Sequence, residues 1–176
     1  MNVKKMMMMA AAVAVAGVMV AEQARAAAVP SLLMGTRSMN VSGMLGDNGD
    51  DFEVAMSGAF GYFFQDFIQA GVFLGVEVVG SDYKSVDGGV FGEYNVDLGS
   101  QIVPYVGASV GLIWVDWDVD SDTAIEATGY GGARYFFVDY AAIGAELVVG
   151  VATEDIYNGG EDAVDWAVYV NTSWYF

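Results

Sequence analysis

The chain has 176 residues, which suits a single domain, and it carries a formal net charge of −17 at pH 7. Six cationic residues stand against 23 acidic ones, so there is no basic patch to neutralise phosphates, and nucleic-acid binding is excluded. The sequence contains no cysteine and no histidine, which excludes disulfides, thiolate metal sites and the usual general base at neutral pH.

The N-terminal segment has the three parts of a secretory signal peptide. Two lysines open it, an uncharged apolar run extends from Met6 to Val20, and small residues follow. The run is short for a membrane-spanning helix, which needs about 20 apolar residues. We expect residues 1–26 to be a signal peptide, with cleavage after Ala26 or alternatively after Ala28. The mature domain, residues 27–176, keeps three cations against 22 acidic residues, a net charge of about −19.

Eight segments of the mature domain alternate large apolar residues with small or polar ones, a period that is typical of β-strands. In IQAGVFLGVEVV, for example, Val72 and Val76 share one face, while Gln69 and Glu77 share the other. We therefore predict strands at residues 36–45, 52–62, 68–79, 86–96, 105–114, 125–135, 140–151 and 164–176.

The connections between these strands alternate between two kinds. GDNGDD, GSDYKSVD, VDWDVDSDT and ATEDIYNGGEDA are acidic, whereas FFQD, DLGSQ and FVDY are shorter. An up-and-down meander places the acidic set at one end of the sheet and the short set at the other. Because an antiparallel sheet must protect its edges, we expect the eight strands to close into an antiparallel up-and-down β-barrel.

The two faces of the strands decide between a soluble barrel and a membrane barrel. One face is lined by valine, leucine, isoleucine and alanine, and the other holds carboxylates and Arg134 among glycines and aromatic residues. A soluble ligand-binding barrel would expose the second face to water, for which glycines and aromatics are poorly suited. We therefore predict an all-β transmembrane barrel with its apolar face outward, whose strands of about 9–11 residues match a tilted bilayer crossing.

Aromatic residues on the outward face mark the expected membrane interfaces. The last segment, WAVYVNTSWYF, places Trp174 and Phe176 at one interface. Trp114 and Trp166 are expected at the opposite interface.

The inward face carries the charges that could give the lumen a function. Four carboxylates are expected to surround Arg134, since a buried cation needs partners and a guanidinium can bind two of them: Glu77, Glu93, Glu126 and Glu146. This lumen charge network would be either a gate or selectivity filter for a solute, or a structural plug. Eight strands enclose little more than their own side chains, which favours the plug, although inward glycines leave room for a small cavity.

The stretch DWDVDSD places four carboxylates at every second residue, in one row if a strand continues beyond Trp114: Asp116, Asp118, Asp120 and Asp122. Such a row is a candidate divalent-cation rim, because calcium and magnesium prefer oxygen ligands. It does not match a helix–loop–helix calcium loop, since Ser121 and Ala127 occupy the positions of that loop's glycine and glutamate. A solvated acidic rim without metal is the preferred interpretation.

Four stretches carry a resemblance to a known family. They are the aromatic strand that ends in Phe176, PYVGASVGL at 104–112, GYFF at 61–64 and GGARYFF at 131–137. In these the chain resembles the small bacterial outer-membrane β-barrel proteins, the group of outer membrane proteins X and W and the N-terminal domain of outer membrane protein A. The resemblance covers the mature domain and implies a Gram-negative outer-membrane location, with Trp174 and Phe176 on the periplasmic side and with lipids and lipopolysaccharide as contacts.

The same resemblance implies that the barrel assembly machinery recognises the C-terminal strand. Enzymes of this architecture rely on histidine, which this chain lacks, so we expect no catalytic activity and no cofactor. The expected function is that of a monomeric, non-enzymatic barrel that acts in envelope integrity or in surface interaction through acidic extracellular loops. A porin-like alternative is a narrow channel for small or hydrophobic solutes.

Overall fold

The computed structural model describes residues 32–47, 52–80, 83–117, 120–157 and 162–176, which form eight antiparallel strands closed into one barrel. Each strand pairs with its neighbours in sequence, and β8 pairs with β1. The strands are β1 (Arg37–Asp47), β2 (Phe52–Gln65), β3 (Ile68–Val79), β4 (Tyr83–Asn95), β5 (Ile102–Trp117), β6 (Asp120–Val138), β7 (Ala141–Ala152) and β8 (Val164–Tyr175). The predicted up-and-down barrel is confirmed. Within the ranges described, no helix is long and apolar enough to span a membrane.

The signal peptide predicted for residues 1–26 lies outside the described residues and stays a prediction.

The strands are strongly staggered around the barrel. From Ser38, the residues paired on successive strands are Gly61, Gly71, Phe91, Ser109, Thr128, Gly150 and Asp165. In the β8–β1 pairing Ser38 is the partner of Tyr175, which lies ten residues from Asp165 along β8, so the closed barrel has a stagger of ten residues. For eight strands this stagger corresponds to a tilt of about 40° and a barrel radius of about 8 Å. Such a barrel is just wide enough for side chains to fill its interior.

Side chains alternate along each strand between the outer surface and the lumen, as predicted. In β3, Val72, Leu74 and Val76 are exposed on the outer surface, whereas Gln69 points inward and is 3% exposed. The buried positions elsewhere include further polar and charged side chains: Glu93, Asn95, Arg134 and Asn171. Apolar groups therefore cover the outside, and the polar groups that would be unfavourable in lipid lie within.

The β5–β6 hairpin extends farther than predicted. β5 has 16 residues and β6 has 19, with residues 118–119 between them. Much of VDWDVDSDT, predicted to be a connection, is therefore paired strand, in which Val115 pairs with Asp122 and Asp116 with Ser121. Polar residues continue the ladder because its hydrogen bonds join backbone groups and do not require an apolar face.

The two ends of the barrel differ in their connections. The end that we call the turn end carries the short connections at 66–67, 96–101 and 139–140, together with Phe176. The opposite end, the loop end, carries the connections that follow β1, β3, β5 and β7. In the β2–β3 turn, Phe67 adopts a left-handed conformation with φ of 63°, which is unusual for a bulky residue.

Candidate functional site: the barrel lumen

An apolar cluster closes the lumen at the turn end. This floor cluster consists of Leu32, Phe63, Val103, Phe136, Ala142 and Tyr175, all buried. Five members belong to strands, whereas Leu32 belongs to the segment that precedes β1. The ring of Tyr175 lies 6.2 Å from that of Phe63 and 5.1 Å from that of Phe136. These contacts make the floor a packed layer of rings and aliphatic groups.

Next to the floor cluster, Arg134 and Glu93 form a bidentate ion pair. Arg134 Nη1 lies 2.6 Å from Glu93 Oε1, and Nη2 lies 2.7 Å from Oε2. The two residues are 3% and 4% exposed, so each charge depends on the other for compensation. Gln69 and Asn95 donate to Glu93 Oε1 at 2.6 Å and 3.0 Å. These four side chains begin a layer of polar groups that we call the polar layer. They link β3, β4 and β6 across the lumen.

A second branch of the polar layer passes through Tyr105. The guanidinium carbon of Arg134 lies 3.6 Å from the centre of the Tyr105 ring, a cation–π contact. The Tyr105 hydroxyl donates to Glu146 Oε2 at 2.8 Å and accepts from Asn171 Nδ2 at 2.8 Å. These contacts connect the two branches through Arg134, and the side chains of the layer fill the lumen at this height.

A cavity of about 200 Å³ extends from the polar layer toward the loop end. Its walls include the aromatic side chains Phe73, Phe91, Tyr130 and Tyr169. Small hydroxyl residues such as Ser42 and Ser57 line it as well, and their hydroxyl oxygens lie 2.7 Å apart. The lumen is therefore filled at the turn end and partly open in its middle.

Five inward carboxylates form an acidic ring near the loop end: Glu53, Glu77, Asp87, Glu126 and Asp165. The stagger of the barrel brings them to one level, because residues of equal height step along successive strands. Glu77 interacts electrostatically with Glu53, Asp87 and Asp165, and Asp87 interacts with Glu126. Arg134 is bound to Glu93 at the other end of the cavity and does not neutralise this ring.

The connection that follows β7 turns into the barrel at the loop end. Ile156 is fully buried and Tyr157 nearly so, packed with Ile113, Val115, Ala124 and Ala152. The Tyr157 hydroxyl donates a hydrogen bond to Glu126 Oε1. Burial and this hydrogen bond raise the pKa of Tyr157 above its ordinary value, because both disfavour the phenolate. Ile156 and Tyr157 thus fill part of the lumen at the loop end.

The structure divides the predicted lumen charge network into two levels. Glu93 contacts Arg134 directly, and Glu146 reaches the same layer through Tyr105. Glu77 and Glu126 lie in the acidic ring instead. Alternation along a strand fixes the face that a residue occupies, but not the height to which the stagger carries it, so the sequence does not separate these levels.

Three members of the acidic ring are missing from the predicted set: Glu53, Asp87 and Asp165. Each has the inward parity of its strand, so alternation was the signal that could have identified it. The same holds for Gln69 and Asn95, the amide partners of Glu93. The sequence does not give the register between neighbouring strands, and this register sets the height of each inward residue in the barrel.

The aspartates of the predicted cation rim do not lie in one row on one strand. Asp116 belongs to β5 and Asp122 to β6, on the two sides of a hairpin that reverses between them. Asp118 and the side chain of Asp120 lie outside the described residues. Among the side chains that are described, no group of three or more acidic residues is arranged to hold a metal ion.

The predicted interface aromatics all lie on the outer surface. Trp174 and Phe176 lie at the turn end with other exposed aromatics: Phe60, Tyr62, Phe64, Tyr94, Phe137 and Tyr140. Trp114 and Trp166 lie toward the loop end. At a tilt of about 40°, Trp166 and Trp174 on β8 are separated by about 20 Å along the barrel axis. This spacing approaches the height of the apolar band of membrane barrels, about 25 Å.

No protein-family model and no curated protein sequence matches the chain. The structure is similar to that of the N-terminal β-barrel domain of Pseudomonas aeruginosa OprF, with a TM-score of 0.62 and 14% identity, covering 81% of this chain and 98% of that one. It is also similar to Neisserial surface protein A, NspA, with a TM-score of 0.57 and 14% identity, covering 80% of this chain and 96% of that one. At this identity the likeness shows the fold alone, a closed β-barrel.

Proposed function

We propose that this protein is a non-enzymatic, integral protein of the bacterial outer membrane that acts in envelope integrity or in interactions at the cell surface. The observation that carries the proposal is the exposed apolar band, in which Leu74, Val110 and Leu147 face outward at mid-strand positions. Water would disfavour such a surface, whereas lipid favours it, and a closed barrel satisfies all backbone hydrogen bonds within lipid. The turn end then faces the periplasm and the loop end faces the exterior.

Refolding of the mature domain tests this proposal. We expect folding to require detergent micelles or lipid vesicles, and the folded barrel to migrate as a compact species on a gel until it is heated. The control is the same chain diluted from urea into plain buffer, where we expect aggregation. A chain that remained folded and dispersed in plain buffer would contradict the proposal, because its apolar faces would then have to point inward.

Two closures in series support a structural or surface role over conduction. The floor cluster blocks the turn end with rings and aliphatic groups, and the Arg134–Glu93 layer spans the lumen beside it. The absence of histidine supports a role without acid–base catalysis at neutral pH. The proposal also includes the contacts of the barrel: it is a monomer surrounded by lipids and lipopolysaccharide.

Recognition of the C-terminal strand by the barrel assembly machinery is part of the proposal. Phe176 is exposed at the turn end, and its ring lies 6.5 Å from that of Phe60. Phe176→Ser is expected to slow assembly into the outer membrane in cells while leaving refolding in detergent unchanged. The matched control is Phe137→Ser, an exposed turn-end phenylalanine within the chain. Equal effects of the two substitutions on assembly would remove any special role for the terminal residue.

A narrow channel is the second candidate function, and the acidic ring, four of whose members line the cavity, favours it for cations. Rings of carboxylates select cations in known channels. Planar-bilayer recordings of the folded protein separate the two candidates. Silence is expected for the structural role, whereas cation-selective steps that diminish in Glu77→Gln would establish the channel.

A further inference from the structure

We propose that residues 32–36 form a latch that closes the periplasmic mouth of the lumen and can open while the barrel stays folded. The inference rests on the proposed membrane function, since it concerns the end of the barrel that this function assigns to the periplasm. It starts from Leu32, which is fully buried in the floor cluster although it belongs to no strand. The other members of the floor cluster are part of the barrel wall.

The backbone of the latch is fixed to the β2–β3 turn. The carbonyl oxygen of Leu32 accepts a hydrogen bond from Phe67 N at 2.8 Å, and the carbonyl oxygen of Phe67 accepts one from Asn95 N at 2.8 Å. Met34 N donates to Asp66 Oδ1 at 2.8 Å. The latch therefore helps to hold Phe67 in its unfavourable left-handed conformation, with its side chain against the floor cluster.

A tight turn carries Leu32 back over the mouth of the barrel. Thr36 N donates to the carbonyl oxygen of Leu33 at 3.1 Å, and Gly35 between them has φ of +97°. A positive φ at the third position of such a turn favours glycine. Gly35 N and the carbonyl oxygen of Thr36 bond to Phe63, so the turn continues directly from the β1–β2 ladder.

The latch is weakly held compared with the strands. Leu33 is 53% exposed and Met34 is 67% exposed, so Leu32 supplies the buried side chain of this segment. The pairing of β1 with β2 and β8 begins at residues 37 and 38 and does not require the latch. Segments with few buried contacts open at lower free energy than the whole fold, so the latch can detach by itself. Detachment removes Leu32 from the floor cluster and opens the floor toward the turn end.

The absence of native cysteine allows a direct test with one reporter thiol. Ala142 is fully buried in the floor cluster, on the turn-end side of the Arg134–Glu93 layer, so Ala142→Cys reports access to the floor. The parent carrying this change is inserted into vesicles with uniform orientation, and a small, membrane-impermeant thiol reagent is added on the side of the turn end. Leu32→Ser is expected to accelerate labelling from that side at least about tenfold, since burial of a leucine shifts an opening equilibrium by such a factor.

Matched variants distinguish the latch from a general loosening. Leu33→Ser, at the exposed neighbour, is expected to leave the labelling rate unchanged. Gly35→Val strains the turn and is expected to act like Leu32→Ser, whereas Gly99→Val strains another turn-end connection and is expected to have no effect. Both glycines have positive φ, and an added Cβ meets no atom within 4 Å at either position. If Leu32→Ser does not fold, the comparison of Gly35→Val with Gly99→Val tests the latch instead.

The outcomes that overturn the proposal are distinct. Inserted and folded variants whose labelling from the turn-end side equals that of the parent would overturn the latch alone. Equal acceleration by the two test variants and the two controls would also overturn it, because the effect would then be a general loosening. Failure of the parent itself to insert into vesicles would overturn the membrane function, and the latch with it.

Discussion

At the scale of single residues, the buried Arg134–Glu93 pair is the contact on which neighbouring groups depend most. Both oxygens of Glu93 are engaged by the guanidinium, and Gln69 and Asn95 add hydrogen bonds to one of them. Removing one charge from a buried pair leaves the other without compensation. The sequence identified Arg134 as a buried cation in need of acidic partners, but the choice of Glu93 among the candidates followed from the register of the closed barrel.

Glu93→Gln is expected to lower the free energy of unfolding by about 3–5 kcal/mol, because the guanidinium stays buried without a counter-charge. Urea unfolding of the protein in detergent or vesicles, followed by tryptophan fluorescence, measures this loss. Glu154→Gln, at an exposed carboxylate in the β7–β8 connection, serves as the control and is expected to change little. Similar stability of the two variants would mean that the pair contributes no more than a surface charge.

Tyr157 gives a second prediction at this scale, on pH. Its pKa is raised in the folded state, so below the unfolded value of about 10 both states carry a neutral phenol and the stability is fully present. As the pH rises above about 10 the unfolded state ionises first, and stability falls. Unfolding midpoints measured across this range are expected to fall less steeply for Tyr157→Phe. Tyr140→Phe, at an exposed tyrosine, is expected to keep the parent's slope.

At the scale of elements, alternation gave the inward and outward faces of the strands, whereas packing decided what fills the space beside the inward glycines. Gly107 of β5 lies under the ring of Tyr130 on β6, and a Cβ there would collide with that ring. Gly71 of β3 lies close to the ring of Phe91 in the same way. Glycine on a strand marks room for a neighbour, but the sequence alone does not tell whether a ring or a cavity occupies it.

The outward faces yield a prediction for lipid contact. Leu147 lies on the outer surface near the middle of β7, and an arginine at mid-bilayer depth costs about 2–4 kcal/mol. Leu147→Arg is therefore expected to lower the free energy of unfolding from vesicles by that amount. Leu98→Arg, at an exposed residue of the β4–β5 turn, places the same charge outside the strands and should be nearly neutral. Equal losses would argue against lipid contact at β7.

At the scale of the whole molecule, carboxylates repel one another, because acidic residues outnumber cationic ones by 17. The full chain carries a formal net charge of −17, and the acidic ring concentrates part of this negative charge in the lumen. The five carboxylates of the ring interact with one another rather than with Arg134. Folding brings these like charges together, so the folded barrel is destabilised by them more than the unfolded chain.

Salt is therefore expected to stabilise the barrel. Between about 0.01 M and 1 M, the screening length falls from about 30 Å to about 3 Å, and the unfolding midpoint should rise. The double variant Glu77→Gln with Asp87→Asn should be more stable at low salt and should depend less on it. The control, Glu154→Gln with Asp155→Asn, changes the net charge equally at exposed positions. If both double variants behaved alike, net charge rather than the ring would be responsible.

The sequence by itself determined the number of strands, their order, the face of each side chain and hence a barrel with apolar groups outside. These properties are local, because the period of two along a strand fixes the faces and the chain order fixes the meander. The tertiary structure decided the partner of Arg134, the separation of Glu77 and Glu126 from it, the length of the β5–β6 hairpin and the place of Leu32 in the floor. Each of these depends on the stagger with which eight strands close, and that stagger is a property of the whole ring of hydrogen bonds rather than of any one segment.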